Sequence, residues 1–262
     1  MDDQSTSAAS TFVPTTVVVP LDGSALSEMS LPLARLLAHR FDATMRTVTV
    51  SDEHHAVAAD LVLGGDPGDA LLDHLAGSDR TLVCMSSHGH GGIRRRLIGS
   101  VAEQLIRHAP TPVIVTGTHV ARNDVDVPRT LLAGIAFSPR QSKLVQLLAS
   151  WAPLLSAGLE LAHVRLPSAA ELYVTRTTGR LPPDRPDLDQ LVADLHHRGV
   201  PATPHTLLGT DPVTALHTLA DRLPSPVLLA VDSHHTSEHT QHDVAYQLIR
   251  ASRWPVLATV GT

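Results

Sequence analysis

The sequence predicts an α/β protein of two tandem domains, each with a mostly parallel five-stranded sheet covered by helices. Three observations support this: an internal repeat, aliphatic runs that alternate with helical patterns, and an aliphatic composition. Hydrophobic residues make up 43% of the 262 residues, but aromatic residues only 3%. The cores must therefore be built from Leu, Val and Ala, as is typical of sheets that helices bury on both faces.

The repeat is visible as segments that recur at nearly constant offsets. Residues 101–107 (VAEQLIR) recur as residues 244–250 (VAYQLIR), and residues 63–71 share their Leu-Gly, Asp-Pro and Ala-Leu pairs with residues 208–216. Matches in the same order along both halves indicate a duplication. The predicted organisation is a tail at 1–13, a first unit at 14–117, a polar linker at 118–129 and a second unit at 130–262.

Aliphatic runs and amphipathic patterns place the elements of each unit. The first unit is predicted to have strands at 15–20, 43–50, 81–86 and 112–116, and helices at 27–41, 67–76 and 100–108. The second unit is predicted to have strands near 130–137, 159–165, 200–208, 227–231 and 256–260, and helices near 141–155, 188–198, 211–222 and 243–251. Residues 166–187, rich in Pro, Thr and Arg, are predicted to form a loop.

The two units differ in length between Val50 and Leu63. The offset between them rises from 114 at Val50 to 145 at Leu63, so the first unit lacks 31 residues there, which removes a whole helix. A parallel crossover needs about a dozen residues or more, which residues 51–55 do not supply. Residues 56–63 are therefore predicted to be either a hairpin partner of 43–50 or not a regular strand.

Composition excludes several classes of protein. A formal net charge of −6 argues against a general nucleic-acid binder, which needs a basic surface. The single cysteine, Cys84, cannot form an intrachain disulfide and is predicted to be a small core residue. No run approaches 18 apolar residues, and the first ten residues do not resemble a signal peptide. We therefore expect a cytoplasmic protein that does not span a membrane.

Two segments of the first unit follow directly after strands, where ligands bind in open α/β sheets. One is residues 20–24, and the other runs from Met85 through Gly89 to Gly99 and Ser100. Glycines let backbone N–H groups curl around an anion, and the start of the next helix favours negative charge. Residues 94–96, all arginine, add positive charge. The alternative is a glycine-rich surface loop before an ordinary capped helix.

This loop resembles the nucleotide loop of the universal stress proteins, which reads Gly, two residues, Gly, nine residues, Gly, then Ser or Thr. The sequence has Ser86, two residues, Gly89, nine residues, then Gly99-Ser100, so only the first glycine is replaced. The resemblance covers residues from about 15 to 260. It implies a tandem universal stress protein whose domains have the Rossmann-like fold of the adenine nucleotide alpha hydrolases.

The resemblance also implies a nucleotide site in the first unit. Asp22 and the backbone of Val50 would hold the adenine end, Met85 and Ser86 would lie beside the ribose, and the glycines with Ser100 would hold phosphates. The implied binding residues are Pro20, Asp22, Val50, Met85, Ser86, Gly89, Gly99, Ser100 and Val101. The implied ligand is ATP, or AMP or ADP, with Mg²⁺ only as a companion of the nucleotide. The implied role is regulation in a stress response.

The resemblance further implies how the units and chains associate. In the family the last strand pairs across an antiparallel interface, so residues 112–116 and 256–260 are expected to form an intrachain pseudo-dimer. A homodimer of two chains is also expected.

The second unit departs from the nucleotide pattern. Ala136 stands where Asp22 does, and the loop from Asp232 to Asp243 has lost the glycines. Asp243 would place negative charge at a helix N-terminus, where it would repel a phosphate. We therefore expect the second unit not to bind ATP and to pack against the first.

Three alternatives to a nucleotide-binding regulatory module are a zinc site, an enzyme and a module without a ligand. His235, His239 and His242 have i, i+4, i+7 spacing that suits zinc, although a polar loop in a protein with 17 histidines is the better explanation. Residues 87–90 (SHGH) would serve phosphate chemistry in a nucleotidyl-transferase-like enzyme, but His88 is better explained by loop structure. Since no nucleophile–base pair is visible, we expect ATP hydrolysis to be slow or absent. The third alternative is a ligand-free module that acts through protein contacts.

Overall fold

A computed structural model describes residues 12–51, 57–87, 98–120, 126–137, 141–165, 173, 177, 186–233 and 244–260. The first unit contains β1 Thr16–Pro20, α1 Leu31–Phe41, β2 Thr44–Val50, β3 Leu61–Leu63, α2 Pro67–Leu75, β4 Thr81–Ser86, α3 Ser100–His108 and β5 Val113–Thr116. The second contains β6 Thr130–Gly134, α4 Gln141–Leu155, β7 Gly158–Arg165, α5 Pro186–His197, β8 Ala202–Leu208, α6 Pro212–Ala220, β9 Val227–Ser233, α7 Val244–Ala251 and β10 Val256–Val260. The predicted α/β class is confirmed.

The strands form one ten-stranded sheet. Their order is β3-β2-β1-β4-β5-β10-β9-β6-β7-β8, and all the strands of each unit run parallel. The two halves meet at β5 and β10, which pair antiparallel with Ile114 opposite Leu257. Each half therefore reverses its strand order at its first strand, β1 or β6, which is where α/β sheets bind ligands.

The position of β3 corrects the sequence analysis. β3 is a regular strand parallel to β2, with Leu61 opposite Val48 and Leu63 opposite Val50. The prediction failed because it assumed a return along the whole of β2. The chain leaves β2 after Val50 and has to return only to the level of Val48, where Leu61 begins β3. Two strand residues span about 7 Å, which residues 51–60 cover easily.

Asp60 fixes the start of this short edge strand. One oxygen of its carboxylate, Oδ2, accepts hydrogen bonds from Thr47 N and Thr47 Oγ1, both at 2.8 Å. These bonds hold the pKa of Asp60 below the usual carboxyl value, with the backbone bond from Thr47 the largest cause. The hydrogen bonds between Asp60 and Thr47 of β2 thus help to hold the three-residue strand β3 in the sheet.

The helices cover both faces of the sheet and join the units in shared cores. On one face α1 and α4 pack together, and the Phe41 ring lies 4.9 Å from that of Trp151. On the other face the buried side chains of α2, α3, α6 and α7 form a second cluster. Cys84 lies buried within β4, as predicted, and burial raises the pKa of its thiol. Within the described residues, no helix is both long enough and apolar enough to cross a membrane.

The repeated Asp-Pro pair explains where α2 and α6 begin. Asp66 accepts hydrogen bonds from the backbone N–H groups of Gly68 and Asp69, and Asp211 accepts from those of Val213 and Thr214. The proline that follows occupies the first turn, where its missing N–H costs nothing.

Replacing Asp211 with Ala is expected to lower the free energy of unfolding by about 1 kcal/mol at pH 7, as is typical of a lost N-cap. The hydrogen bond from the Thr214 side chain, with the two backbone bonds, lowers the pKa of Asp211. The contribution of the charged Asp211 cap to the free energy of unfolding is therefore complete above the ordinary carboxyl pKa of about 3.9. It is lost as the pH falls through the lowered pKa of Asp211 in the folded protein. Urea unfolding of wild type, Asp211→Ala and Asp211→Asn at pH 7 and pH 3 measures both effects.

Asparagine can also cap a helix but does not titrate. Asp211→Asn should therefore stay near wild-type stability at pH 7 and lose less stability than wild type at pH 3. If wild type and Asp211→Asn lose the same stability between pH 7 and pH 3, Asp211 does not act as a charged N-cap.

Candidate functional site

The candidate site lies at the carboxyl ends of β2, β1 and β4, which are adjacent in the sheet. Pro20 at the end of β1 lies opposite Val48, and Val18 lies opposite Val83 of β4. Because the three strands are parallel, the segments that follow them emerge at the same edge. The topology therefore brings together the predicted residues at 20–22, 50 and 85–86.

The turn after β1 is organised around Asp22. Its Oδ1 accepts hydrogen bonds from Ser24 N at 2.9 Å and Ser24 Oγ at 2.7 Å, while Asp22 N donates to Ser27 Oγ at 3.4 Å. Gly23 between them has a φ of 81°, a left-handed conformation that favours glycine. The carboxylate is exposed at the strand edge, in an orientation that Ser24 fixes.

The backbone of Val50 faces this turn. Val48 O accepts from Leu21 N, towards β1, whereas Ser51 N donates to Leu63 O, towards β3. Since peptide groups alternate in direction along a strand, the N–H and C=O of Val50 point to the β1 side. They project beyond Pro20, the last residue of β1 that pairs with β2.

The end of β4 is joined to the start of α3. Met85 and Ser86 are buried, and Ser87 N donates to Thr116 O at 3.0 Å. Ser87 O then accepts from Gly99 N at 2.8 Å, which closes the base of the intervening loop. Gly89, His88, His90 and the three arginines at 94–96 lie outside the described residues.

The N-terminus of α3 differs from those of α2 and α6. Its N-cap is Gly99, with φ −63° and ψ 150°, and no side chain caps its first turn among the described residues. The Gly99 amide is engaged by Ser87, so the amides that an anion would meet are those of Ser100 and Val101. Ser100 is exposed. An uncapped first turn with its partial positive charge suits a phosphate.

The second unit lacks these features in its described part. Ala136 lies in the turn after β6, so no carboxylate stands at the position of Asp22. Phe137 has a φ of 54°, and its ring lies 4.8 Å from that of His163, whose Nδ1 is 2.7 Å from Ile135 O. Apolar and aromatic groups thus replace the acidic turn.

The zinc hypothesis cannot be placed on the structure. His234, His235, His239, His242 and Asp243 all lie outside the described residues. Within the described residues, no group of three or more His, Cys, Asp or Glu could hold a metal ion.

Sequence reasoning missed the three serines that shape the site. Ser24 and Ser27 hold the turn of Asp22, and Ser87 closes the loop before α3. The turn at Ser24 was detectable, because an aspartate side chain commonly hydrogen-bonds the backbone two residues on. The bond between Ser87 and Gly99 involves only backbone atoms, which leave no signal in residue type.

Fold and site together define an α/β protein of two similar halves, one of which carries an acidic turn and, at the same sheet edge, a helix start that no described side chain caps. Residues 59–117 match the model of the universal stress protein family. The resemblance seen in the sequence is thus confirmed over residues 59–117, which form the second half of the first unit.

Solved structures extend the likeness over both units. A universal stress protein from Archaeoglobus fulgidus matches 96% of this chain and 100% of its own, with a TM-score of 0.73 and 15% identity. A functionally unknown protein from Pseudomonas aeruginosa PAO1 matches 95% of this chain and 93% of its own, with a TM-score of 0.65 and 13% identity.

A putative universal stress protein from Pseudomonas aeruginosa UCBPP-PA14 matches 94% of this chain and 93% of its own, with a TM-score of 0.64 and 13% identity. At these identities the likeness shows the fold. No curated protein matches the sequence. The chain therefore shares its fold, over nearly its whole length, with these three solved structures.

Proposed function

We propose that the first unit binds an adenine nucleotide and that the protein is a regulatory module of the stress response. The observation that carries the proposal is the meeting, at one sheet edge, of the Asp22 turn, the backbone of Val50 and the uncapped start of α3. A carboxylate and strand peptide groups suit the edge of a base, and an open helix N-terminus suits a phosphate.

The nucleotide would lie across the ends of β2, β1 and β4. Asp22 and Val50, with Pro20 beneath them, would contact the adenine, and Met85 and Ser86 would border the ribose. The amides of Ser100 and Val101 would bind phosphate together with Gly89, and Gly99 would join them once its amide leaves Ser87 O. The ligand would be ATP, ADP or AMP, with Mg²⁺ bound only through the phosphates.

The second unit would act as a structural partner. Its antiparallel pairing through β5 and β10 supports a chain that would be a pseudo-dimer of two domains, of which only the first would hold ligand. The proposal also includes a cytoplasmic protein that pairs further as a homodimer and hydrolyses ATP slowly or not at all.

Isothermal titration calorimetry with ATP and with AMP tests the proposal. We expect micromolar-range binding with one nucleotide per chain, and a loss of affinity of about tenfold or more in Gly99→Asp, because a carboxylate at the N-cap repels phosphate. Aspartate is itself a favourable N-cap, so this variant should still fold.

Gly99→Ala is the matched control, because it adds a Cβ without adding charge. It should bind nucleotide within a few-fold of wild type. A wild-type protein that binds neither nucleotide would refute the proposal. Equal losses in the two variants would show that bulk, and not charge, governs the position.

The ligand-free alternative has an observation in its favour. The Gly99 amide already donates to Ser87, and Asp22 Oδ1 already accepts from Ser24, so two groups of the implied site serve the protein's own turns. On this view the first unit is a structural module that acts through protein contacts. Absence of nucleotide binding in the same titration would favour it.

A further inference from the structure

The two outer strands of the sheet, β3 and β8, differ in how their free edges are covered. An edge strand presents N–H and C=O groups that can pair with a strand of another chain. Because peptide groups alternate in direction along a strand, every second residue of an edge strand turns both groups outward. The state of these outward groups therefore decides whether an edge can pair.

The outward groups of β8 are largely blocked. Gly209 N donates to Arg165 O of β7 at 3.1 Å, so the residues of β8 that turn outward are the even-numbered ones, from 202 to 208. Pro204 has no N–H group to offer. His196 Nε2 of α5 lies 2.9 Å from Ala202 O and 3.1 Å from Ala202 N. A proline and a helix side chain thus close the first half of this edge.

The free edge of β3 has neither device. Ser51 N donates from the β2 side to Leu63 O, so the peptide groups of Val62 turn outward, where the described chain has no further strand. The Val62 side chain is 57% exposed. Residues 57–65 (VAADLVLGG) contain no proline and no lysine, and the carboxylate of Asp60 is bonded to β2. The edge is open and mostly apolar.

The difference between the two edges follows from the lengths of the two units. In the second unit α5 packs against β8 and supplies His196. In the first unit only residues 51–60 connect β2 to β3, which is too short for a crossover that contains a helix. The next helix, α2, packs against α3 and β2 and lies inward of β3. The shortened connection therefore leaves β3 without the helix that guards β8.

The open edge is self-complementary about Val62. When two copies pair antiparallel with Val62 opposite Val62, each Asp60 lies opposite Gly64. Each Ala58 lies opposite Asp66, so no two carboxylates face each other, an arrangement that would destabilise the pairing. A Cβ built at Gly64 would meet no atom within 4 Å, which leaves room for the second chain to approach.

We propose that the free edge of β3 is a homodimer interface, in which β3 pairs antiparallel with β3 of a second copy around Val62. The inference rests on the homodimer included in the proposed function and names its surface. The two Val62 residues exchange N–H···O=C hydrogen bonds, and their exposed side chains lie side by side on one face of the joined sheet.

This pairing closes as a twofold dimer. Pairing of β3 with β8 of a second copy would instead build an open filament, and Pro204 and His196 oppose it. A short edge strand buries less than the roughly 1,200 Å² of a standard stable interface. We therefore expect a weak dimer with a Kd of about 10–100 µM.

Sedimentation velocity of the full-length protein without nucleotide, from about 1 µM to about 500 µM, tests the proposal over a range that brackets this Kd. Val62→Lys places two positive charges opposite each other across the twofold axis, and should weaken the dimer about tenfold or more. Val62→Pro should do the same, because it removes the outward N–H but none of the bonds to β2. Since Val62 is exposed, both variants should keep the wild-type circular dichroism spectrum.

Thr203→Lys is the matched control, because it adds the same charge at an exposed position of the other edge strand, β8. It should dimerise as wild type does. A wild-type protein that stays monomeric at about 500 µM would overturn both this interface and the proposed homodimer, and nucleotide calorimetry would be unaffected. A dimer that survives both Val62 variants, or that Thr203→Lys weakens as much, would overturn the interface alone.

Discussion

Replacing Trp151 with alanine is expected to lower the free energy of unfolding by about 3–5 kcal/mol, the usual cost of removing a fully buried tryptophan side chain. Trp151 of α4 is 0% exposed. Its ring packs at 4.9 Å from that of Phe41 in the first unit, and its Nε1 donates to Phe12 O at 3.1 Å. The variant therefore loses a large volume and leaves the Phe12 carbonyl with one donor fewer.

Equilibrium unfolding in urea, followed by circular dichroism, measures this loss. Trp254→Ala is the control, because it removes the chain's other tryptophan from a half-buried position, and we expect it to cost less than half as much. Trp151→Phe should fall between wild type and Trp151→Ala, since it keeps a ring but loses the donor. Similar losses at both tryptophans would contradict a central role for Trp151 between the units.

The sequence predicts most elements because local signals mark their ends. Pro67 and Pro212 each follow an aspartate cap, so the starts of α2 and α6 are predicted within a residue. The first helix was predicted from residue 27, but residues 27–30 form a 3-10 turn and α1 begins at Leu31. Pro32 in the first turn was the available signal.

Other features depend on distant parts of the chain. β3 was misjudged because its register against β2, and not the number of connecting residues, decides how far the chain must return. The strand near 130–137 ends at Gly134 in the structure, ahead of the left-handed Phe137. Neither register nor a positive φ at phenylalanine follows from periodicity.

The candidate site was predictable to the extent that topology determines it. Parallel strands place Asp22, Val50 and Ser86 at one edge once the strand order is known. The bond from Gly99 to Ser87 was not predictable, because backbone atoms of any residue could form it. The antiparallel junction of β5 and β10 does not follow from periodicity either, because it pairs strands that lie far apart in sequence.

That junction leads to the second large effect: Gly117→Ala is expected to lower the free energy of unfolding by about 1–3 kcal/mol, as overpacking of a close contact does. A Cβ at Gly117 would lie 2.8 Å from Ile249 O and 3.4 Å from Ser252 O. Both are backbone atoms at the end of α7, which packs against β9 and β10 and cannot move as freely as a side chain. The added methyl group should therefore push the second unit away from the first.

Gly77→Ala provides the matched control for this close approach. A Cβ there would meet no atom within 4 Å, so alanine should be neutral or stabilise the protein by up to about 1 kcal/mol through the unfolded state. Urea unfolding of the two variants and wild type separates a general effect of replacing glycine from contact between the units. If Gly117→Ala is as stable as wild type, α7 can move away from residue 117 at no cost. The contact between Gly117 and Ile249 O would then not restrain how the two units pack.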